Sequence, residues 1–251
     1  MKTSAWWLAG IVGCCAVTSA QAAVVFSENF EALTPGALVG QGGWTQLGSS
    51  VVNPQTVDST KAVSMANNGQ DTQKAFSSAV PHTDGDSITT AFDVTVTAVQ
   101  SGDFFAELTE SLVGSAFFNR FYVRAGAGAN TLQFAMSAGT PASIAGLAWG
   151  TDLALGSTYR LQSTWDFVAG PANDTLSLTV DGNSYVAPFA WNTASAEPAD
   201  VALFNLRQGG ATAAPTISSI DNIVVNAVPE PGVFALLGVA GLGVVARRRR
   251  V

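Results

Sequence analysis

The chain has 251 residues, of which 47% are hydrophobic and only 12% charged, with 25 glycines and a formal net charge of −7. That length allows one large domain or two small ones, and so low a charged fraction argues against a coiled coil or helical bundle. The acidic balance excludes non-specific nucleic-acid binding as a default role. Cysteine occurs only as the adjacent Cys14 and Cys15, and histidine only as His82. A disulfide framework, a thiolate cluster and any zinc site with two or more imidazoles are therefore excluded.

Residues 1–22 run from a single Lys2 through the apolar stretch Ala5–Val17 to Ser19-Ala20-Gln21-Ala22. A charged start, an apolar middle and an A-x-A end make a secretory signal peptide, cut by signal peptidase after Ala22 with Ala20 and Ala22 as the processing residues. The competing reading is a lipoprotein signal, with Cys14 or Cys15 acylated behind Ile11-Val12-Gly13. Either way both cysteines leave or become anchors.

Residues 23–227 read as one all-β domain with little helical periodicity. Alternation is clearest in Ile88–Val99, where Phe92, Val94, Val96 and Ala98 share one face and Thr89, Ala91, Asp93, Thr95 and Thr97 the other. Leu176, Leu178 and Val180 alternate with Thr175, Ser177 and Thr179, and Asp181-Gly182 predicts a type I′ turn into Tyr185–Phe189. Further strands are predicted at Val24–Phe30, Ala62–Ala66, Gln73–Ser77, Asp103–Thr109, Ala116–Ala125, Thr131–Ser137, Thr158–Phe167, Val201–Arg207 and Ile217–Asn226. Short strands punctuated by Gly, Asn, Asp and Pro predict a two-sheet antiparallel sandwich.

Three segments carry a resemblance. Phe26-Ser27-Glu28-Asn29-Phe30-Glu31, with Pro35-Gly36, Gly40-Gln41 and Gly43-Trp44 behind it, resembles the opening of a concanavalin A-like jelly roll. Tyr159-Arg160-Leu161 and Leu176–Gly182 are similar to the central hairpin of laminin-G-like domains, and Ile220-Asp221-Asn222-Ile223-Val224-Val225 to the closing strand. The resemblance implies a fold that hosts lectins, carbohydrate-binding modules and glycosidases, so it leaves function open. It also implies a structural Ca²⁺ held between the first and last strands, with Glu31 and Asp221 at the matching positions and Glu28 and Asn222 in reserve. The plainer reading of Asp221 is a carboxylate that satisfies backbone donors at a bulge. Asp84-Gly85-Asp86 is a weaker calcium candidate, since the same tripeptide makes an ordinary turn.

The sequence carries no clear catalytic pattern. His82 sits in Pro81-His82-Thr83-Asp84-Gly85-Asp86 and reads as a solvent-exposed loop residue; no G-x-S-x-G elbow accompanies it. Glycosidases need two carboxylates facing one cleft, about 5–5.5 Å apart for retention. Glu107 and Glu110 lie three apart on opposite strand faces, and Asp103 and Glu107 share a face about 13 Å apart at the rise of a strand. A non-catalytic protein is expected, with Glu107 and Glu110 solvated or paired with Arg120 or Arg124. Sugar binding would use an aromatic platform. Trp149 and Trp191 lie in Gly-, Ala- and Asn-rich loops and are the candidate ligand-binding residues, whereas Trp44 and Trp165 are expected in the core.

The C-terminus reads Val228-Pro229-Glu230-Pro231-Gly232, an uncharged run over 233–246, then Arg247, Arg248, Arg249 and Arg250. As a helix that run spans about 21 Å, short against a bilayer core of about 30 Å, and the arginines hold its far end in the cytoplasm. Pro-Glu-Pro, a short Gly-rich span and a terminal Arg cluster, in that order, resemble the PEP-CTERM sorting signal of Gram-negative bacteria. This implies a segment 228–251 with a transmembrane helix over about 232–246 that anchors the protein transiently in the inner membrane. An exosortase would cut near Pro229, Glu230 and Pro231 and release a component of the cell surface or extracellular matrix.

Removing both ends takes away Lys2 and Arg247–Arg250 but no acidic residue, so residues 23–231 keep six basic side chains against 18 acidic ones, a net charge of −12. The released domain is expected to bind or structure exopolysaccharide. The alternatives are a purely structural or adhesive surface domain and a secreted polysaccharide-active enzyme.

Overall fold

β-Branched and aromatic residues alternating with small polar ones make strands throughout the body. The computed structural model describes residues 22–46, 56–65, 70–99, 103–109, 117–137, 147–170, 173–190, 200–209 and 216–229. Contacts group residues 22–229 as one unit and residues 1–21 and 230–251 as another. The predicted signal peptide up to residue 21, the membrane segment and the arginine cluster thus lie outside the described residues. Among the described residues no helix is long and apolar enough to cross a membrane.

The strands, in chain order, are β1 (Ala23–Glu28), β2 (Gly36–Ala37), β3 (Thr45–Gln46), β4 (Thr56–Val57), β5 (Val63–Met65), β6 (Gln70–Val80), β7 (Ser87–Ala98), β8 (Asp103–Thr109), β9 (Phe117–Ala125), β10 (Thr131–Ser137), β11 (Leu153–Ala154), β12 (Thr158–Asp166), β13 (Thr175–Val180), β14 (Asn183–Ala190), β15 (Val201–Gly209) and β16 (Thr216–Val228). They form two antiparallel sheets. One runs β14-β13-β12-β7-β16-β5-β4-β2, with β1 also paired to β16, and the other runs β11-β10-β9-β8-β15-β6-β3. Each predicted strand has its counterpart. The two-residue strands β2, β3, β4 and β11 have no sequence signature, because two residues are too few to alternate.

Period-two patterning sets which side of each strand enters the core. Ile88, Phe92, Val94, Leu161, Trp165, Leu176, Leu178, Ile220 and Ile223 come from the nine-stranded sheet, and Phe121, Val123, Leu132, Phe134, Phe204 and Leu206 from the seven-stranded one. Phe92 meets Phe121 edge-on across the interface, ring centroids 5.0 Å apart. The β13–β14 hairpin turns at Asp181 (φ 50°) and Gly182 (φ 77°), the two positive angles that a type I′ turn requires.

The opening segment is tied down by one carboxylate. Glu28 Oε2 accepts from buried Trp44 Nε1 (3.1 Å) and from Lys74 Nζ on β6 (2.6 Å), while its Oε1 accepts from Phe30 N (2.9 Å). Lys74 also lies over the rings of Phe26 and Trp44. A buried indole N–H and a mostly buried ammonium would both lose their acceptor if this carboxylate were removed. Glu28→Ala is expected to destabilise the full-length chain by about 3 kcal/mol in urea unfolding, with a smaller loss for Glu28→Gln. An unchanged midpoint for Glu28→Ala would show that the carboxylate does not hold β1 to β6.

Candidate functional site

The seven-stranded sheet has one face in the core and one directed away from it. On the second face the register aligns Gln73, Asn205, Glu107, Arg120 and Ser137 as a single row across β6, β15, β8, β9 and β10. Gln73, Asn205, Arg120 and Ser137 are all buried, and Glu107 lies opposite Arg120 in the backbone register. In the next row over, Arg207 Nε pairs with Asp71 Oδ2 at 3.3 Å.

The accessible part of this face is its rim at β9, β10 and the segment leading to β11. Arg124 stands opposite Gln133 in the register, and its Nε donates to Gln133 Oε1 at 2.8 Å. Gln133 Nε2 in turn donates to Asp152 Oδ1 at 2.8 Å. Trp149 forms a backbone bridge to Ala135, and its ring lies 4.1 Å from the Arg124 guanidinium carbon. Trp149 is half-buried, packed with Tyr122 and Ala135.

The loop carrying Trp149 is held rigidly. Gly150 N donates to Phe134 O at 3.1 Å, and a Cβ at Gly150 would fall 2.0 Å from the Tyr185 ring, so only glycine allows this approach. Tyr185 Oη accepts from Phe134 N (3.2 Å) and donates to Thr151 O (2.5 Å); burial raises its pKa above the ordinary value. Asp152 accepts from Gly128 N (2.8 Å), Ala127 N (3.1 Å) and Thr131 Oγ1 (3.0 Å) besides Gln133. The amides of Gly128 and Ala127 hold its carboxyl below the ordinary value. Arg124, Gln133, Asp152 and Tyr185 carry no motif in the sequence; the one available signal is the spacing of Arg120 and Arg124, four apart and therefore on one strand face.

The other predicted site residues fall in different places. Trp44 and Trp165 are buried, as expected, and Trp191 lies outside the described residues. Ala22 and Pro229 are both exposed, and β1 and β16 bring their neighbours together, Ala23 opposite Ala227. Ala20, Glu230, Pro231 and Arg247–Arg250 lie outside the described residues. His82 corrects the expectation of an exposed loop side chain. Its side chain is only 4% exposed, with Nε2 2.8 Å from Asp174 Oδ2 and its ring 4.3 Å from that of Phe167. Asp174 also accepts from Trp165 Nε1 (2.9 Å) and Val168 N (2.8 Å), so a carboxylate distant in sequence draws His82 inward.

Glu31 and Asp221 are brought into one acidic edge with Asp93 and Asp58. Asp221 and Asp93 face each other in the β16–β7 register. Asp93 is occupied by Arg160 Nη1 (3.1 Å) and Asn222 Nδ2 (2.8 Å), and Asp221 Oδ1 accepts from Asn222 N (2.7 Å) at a bulge. The bulge role is thus present. Among the described residues no three Asp, Glu, His or Cys side chains are placed to hold one ion. Burial raises the Asp221 carboxyl above its ordinary value of 3.8; the Asn222 amide opposes this, and the charges of Asp93, Glu31 and Asp58 add to it. A carboxyl with a raised folded-state value contributes stability below its unfolded value and loses it as pH rises through the folded one. Asp221→Asn keeps the acceptor for Asn222 N and is expected to raise Tm at neutral pH, the gain vanishing below about pH 3.8. A lower Tm at neutral pH would contradict this.

Residues 227–250 match the family described as the PEP-CTERM protein-sorting motif. Among solved structures, a mutant of alginate lyase Aly36B in complex with alginate trisaccharide is 14% identical, with 80% of this chain and 96% of that chain covered and a TM-score of 0.52. The globular domain of T. cruzi calreticulin is 12% identical, with 81% and 88% covered and a TM-score of 0.51. At such identities the likeness is one of fold, the jelly-roll sandwich. No curated protein matches the sequence. The chain is thus a jelly-roll sandwich that ends in a PEP-CTERM motif, the signal for export and exosortase processing at the membrane of a Gram-negative bacterium.

Proposed function

We propose that the sandwich is a non-catalytic component of the cell surface or extracellular matrix that binds or structures exopolysaccharide through the rim around Trp149. The observation that carries this reading is a half-buried indole beside the anchored Gly150, with the Arg124 guanidinium over its ring and Gln133 and Asp152 behind that cation. A pyranose offers apolar C–H faces and a polar edge, and a rigid aromatic beside amide and guanidinium donors complements both. Trp44 and Trp165, by contrast, are buried with their indole nitrogens bonded to carboxylates.

The reading as a binder is supported by the state of the ionisable groups at the rim. Asp152 is kept below the ordinary carboxyl value by its amide donors, the opposite of a general acid tuned toward neutrality. Tyr185 has its hydroxyl committed to Thr151 O and Phe134 N. His82 is buried against Phe167 and Asp174. In a retention assay on the host's own exopolysaccharide, the full-length protein is expected to be held back and Trp149→Ala to elute earlier. No retention of the unaltered protein would favour a purely structural or adhesive domain, and release of new sugar chain ends would favour an enzyme.

Calcium between Glu31 and Asp221 is a separate proposal, supported by the burial that raises the Asp221 carboxyl and by the charges of Asp93, Glu31 and Asp58 that add to it; a hard divalent cation offsets such crowding of charge and suits carboxylate and carbonyl oxygens. Added Ca²⁺ is expected to raise Tm and EDTA to reverse the rise, with Asp221→Asn insensitive to both. A Tm indifferent to Ca²⁺ in the unaltered protein removes the proposal.

A further inference from the structure

The sandwich of residues 23–231 carries six basic side chains against 18 acidic ones, and most of the six are already committed. Lys74 is paired with Glu28, Arg160 with Asp93, and Arg207 with Asp71. Lys61 donates to the carbonyl of Leu33, and Arg120 is buried in the polar row. Arg124 differs from these. It is half-exposed, and among the described residues its polar contacts are the bond from Nε to Gln133 Oε1 and the stack on Trp149. The nearby carboxylate of Asp152 is filled by Gly128 N, Ala127 N, Thr131 Oγ1 and Gln133 Nε2, with no bond to Arg124.

These two contacts orient the guanidinium without using up its donors. The guanidinium carbon lies over the Trp149 ring, and the Gln133 bond employs Nε. Among the described residues the terminal Nη donors make no hydrogen bond. Gln133 is itself held by Asp152, so the group is set in position before anything binds, which lowers the ordering cost of binding. A planar fork of this kind matches a carboxylate in two parallel hydrogen bonds. In a domain of net charge −12, a pre-oriented cation with no carboxylate partner among the described residues is a local exception to the field around it.

We propose that Arg124 reads the carboxylate of an acidic sugar, so that the glycan taken at this rim is a uronate-containing polysaccharide. The proposal rests on the reading of the rim as a polysaccharide site and adds the substrate class. Trp149 and Gln133 fix the cation, and the Nη pair receives the anion. Repulsion from the acidic body is long-ranged and screened over about 8 Å at physiological salt, whereas the contact pair is screened much less. Selectivity for the anion therefore survives at that ionic strength.

The test uses full-length protein in detergent at physiological salt, with polygalacturonate, fully methyl-esterified polygalacturonate and dextran sulfate as probes. Polygalacturonate is expected to bind about tenfold more tightly than its ester, in line with a charge-assisted bidentate contact. Arg124→Gln should erase that difference, weakening binding to polygalacturonate about tenfold more than binding to the ester. Arg124→Lys, which keeps the charge without the fork, should recover only part of it, and Trp149→Ala should weaken binding to both polymers. Near-UV circular dichroism confirms that each variant is folded. Equal binding of polygalacturonate and its ester by the unaltered protein overturns the uronate assignment while leaving the polysaccharide reading standing. So does an Arg124→Gln protein that still prefers polygalacturonate. Dextran sulfate bound as tightly as polygalacturonate, and lost equally with Arg124→Gln, reassigns the site to oxyanions in general and overturns the carboxylate. Failure of the unaltered protein to bind any of the three overturns the uronate assignment, while the polysaccharide reading is decided by retention on the host's own exopolysaccharide.

Discussion

β16 holds the nine-stranded sheet together from within: one edge pairs with β7 over nearly its whole length, and the other is divided between β5 and β1. That division needs a break in the strand. Ile217, Ile220, Ile223 and Val225 all point into the core, a spacing that strict alternation cannot produce. The register slips between Ile217 and Ser219 and between Asp221 and Val224 supply the extra residues, and Asn222 takes a left-handed angle of 50° at the second. The same bulge turns Asp221 toward the acidic edge and lets the amide of Asn222 bond to its carboxylate.

Because β16 is the last strand, the sheet cannot close until almost the whole body is available. Its partner β7 begins at Ser87, opposite Val228, so the closing contacts span long stretches of chain, the slow kind to form. The ladder stops at Val228, and Pro229 has no N–H with which to extend it. The Pro-Glu-Pro of the sorting motif therefore follows directly on the end of β16. β1 starts at the same corner, with Ala23 opposite Ala227.

Two buried tryptophans show how a small acidic protein uses its carboxylates. Trp44 donates to Glu28 and Trp165 to Asp174, in each case with a cationic or imidazole partner on the same oxygen, Lys74 or His82. A buried indole N–H needs an acceptor, and each carboxylate meets that need while tying a loop or edge strand to the core. The third described indole, Trp149, lies outside these pairs. It stacks on a guanidinium at the rim, and this sets the candidate site apart from the packing of the interior.

Most of the fold was legible in the sequence because strand burial repeats every two residues: the patterns of β7 and β13 and the Asp181-Gly182 turn follow from local chemistry alone. The sorting motif was legible too, since proline, an apolar run and terminal arginines act through their order along the chain. The candidate site was legible only at Trp149. Arg124 and Gln133 meet across a register, Asp152 joins them from a loop, and Tyr185 arrives from the other sheet; no spacing in the chain announces such a meeting. His82 was misread for the same reason, because a turn-rich neighbourhood looks exposed until Asp174, far along the chain, pulls the ring inside. The sequence by itself thus determined an exported, acidic β-sandwich and its address. Which charges are neutralised, and which one is left presented on an aromatic ring, was decided by tertiary structure, because a charge is matched by its neighbours in space and not by its neighbours in sequence.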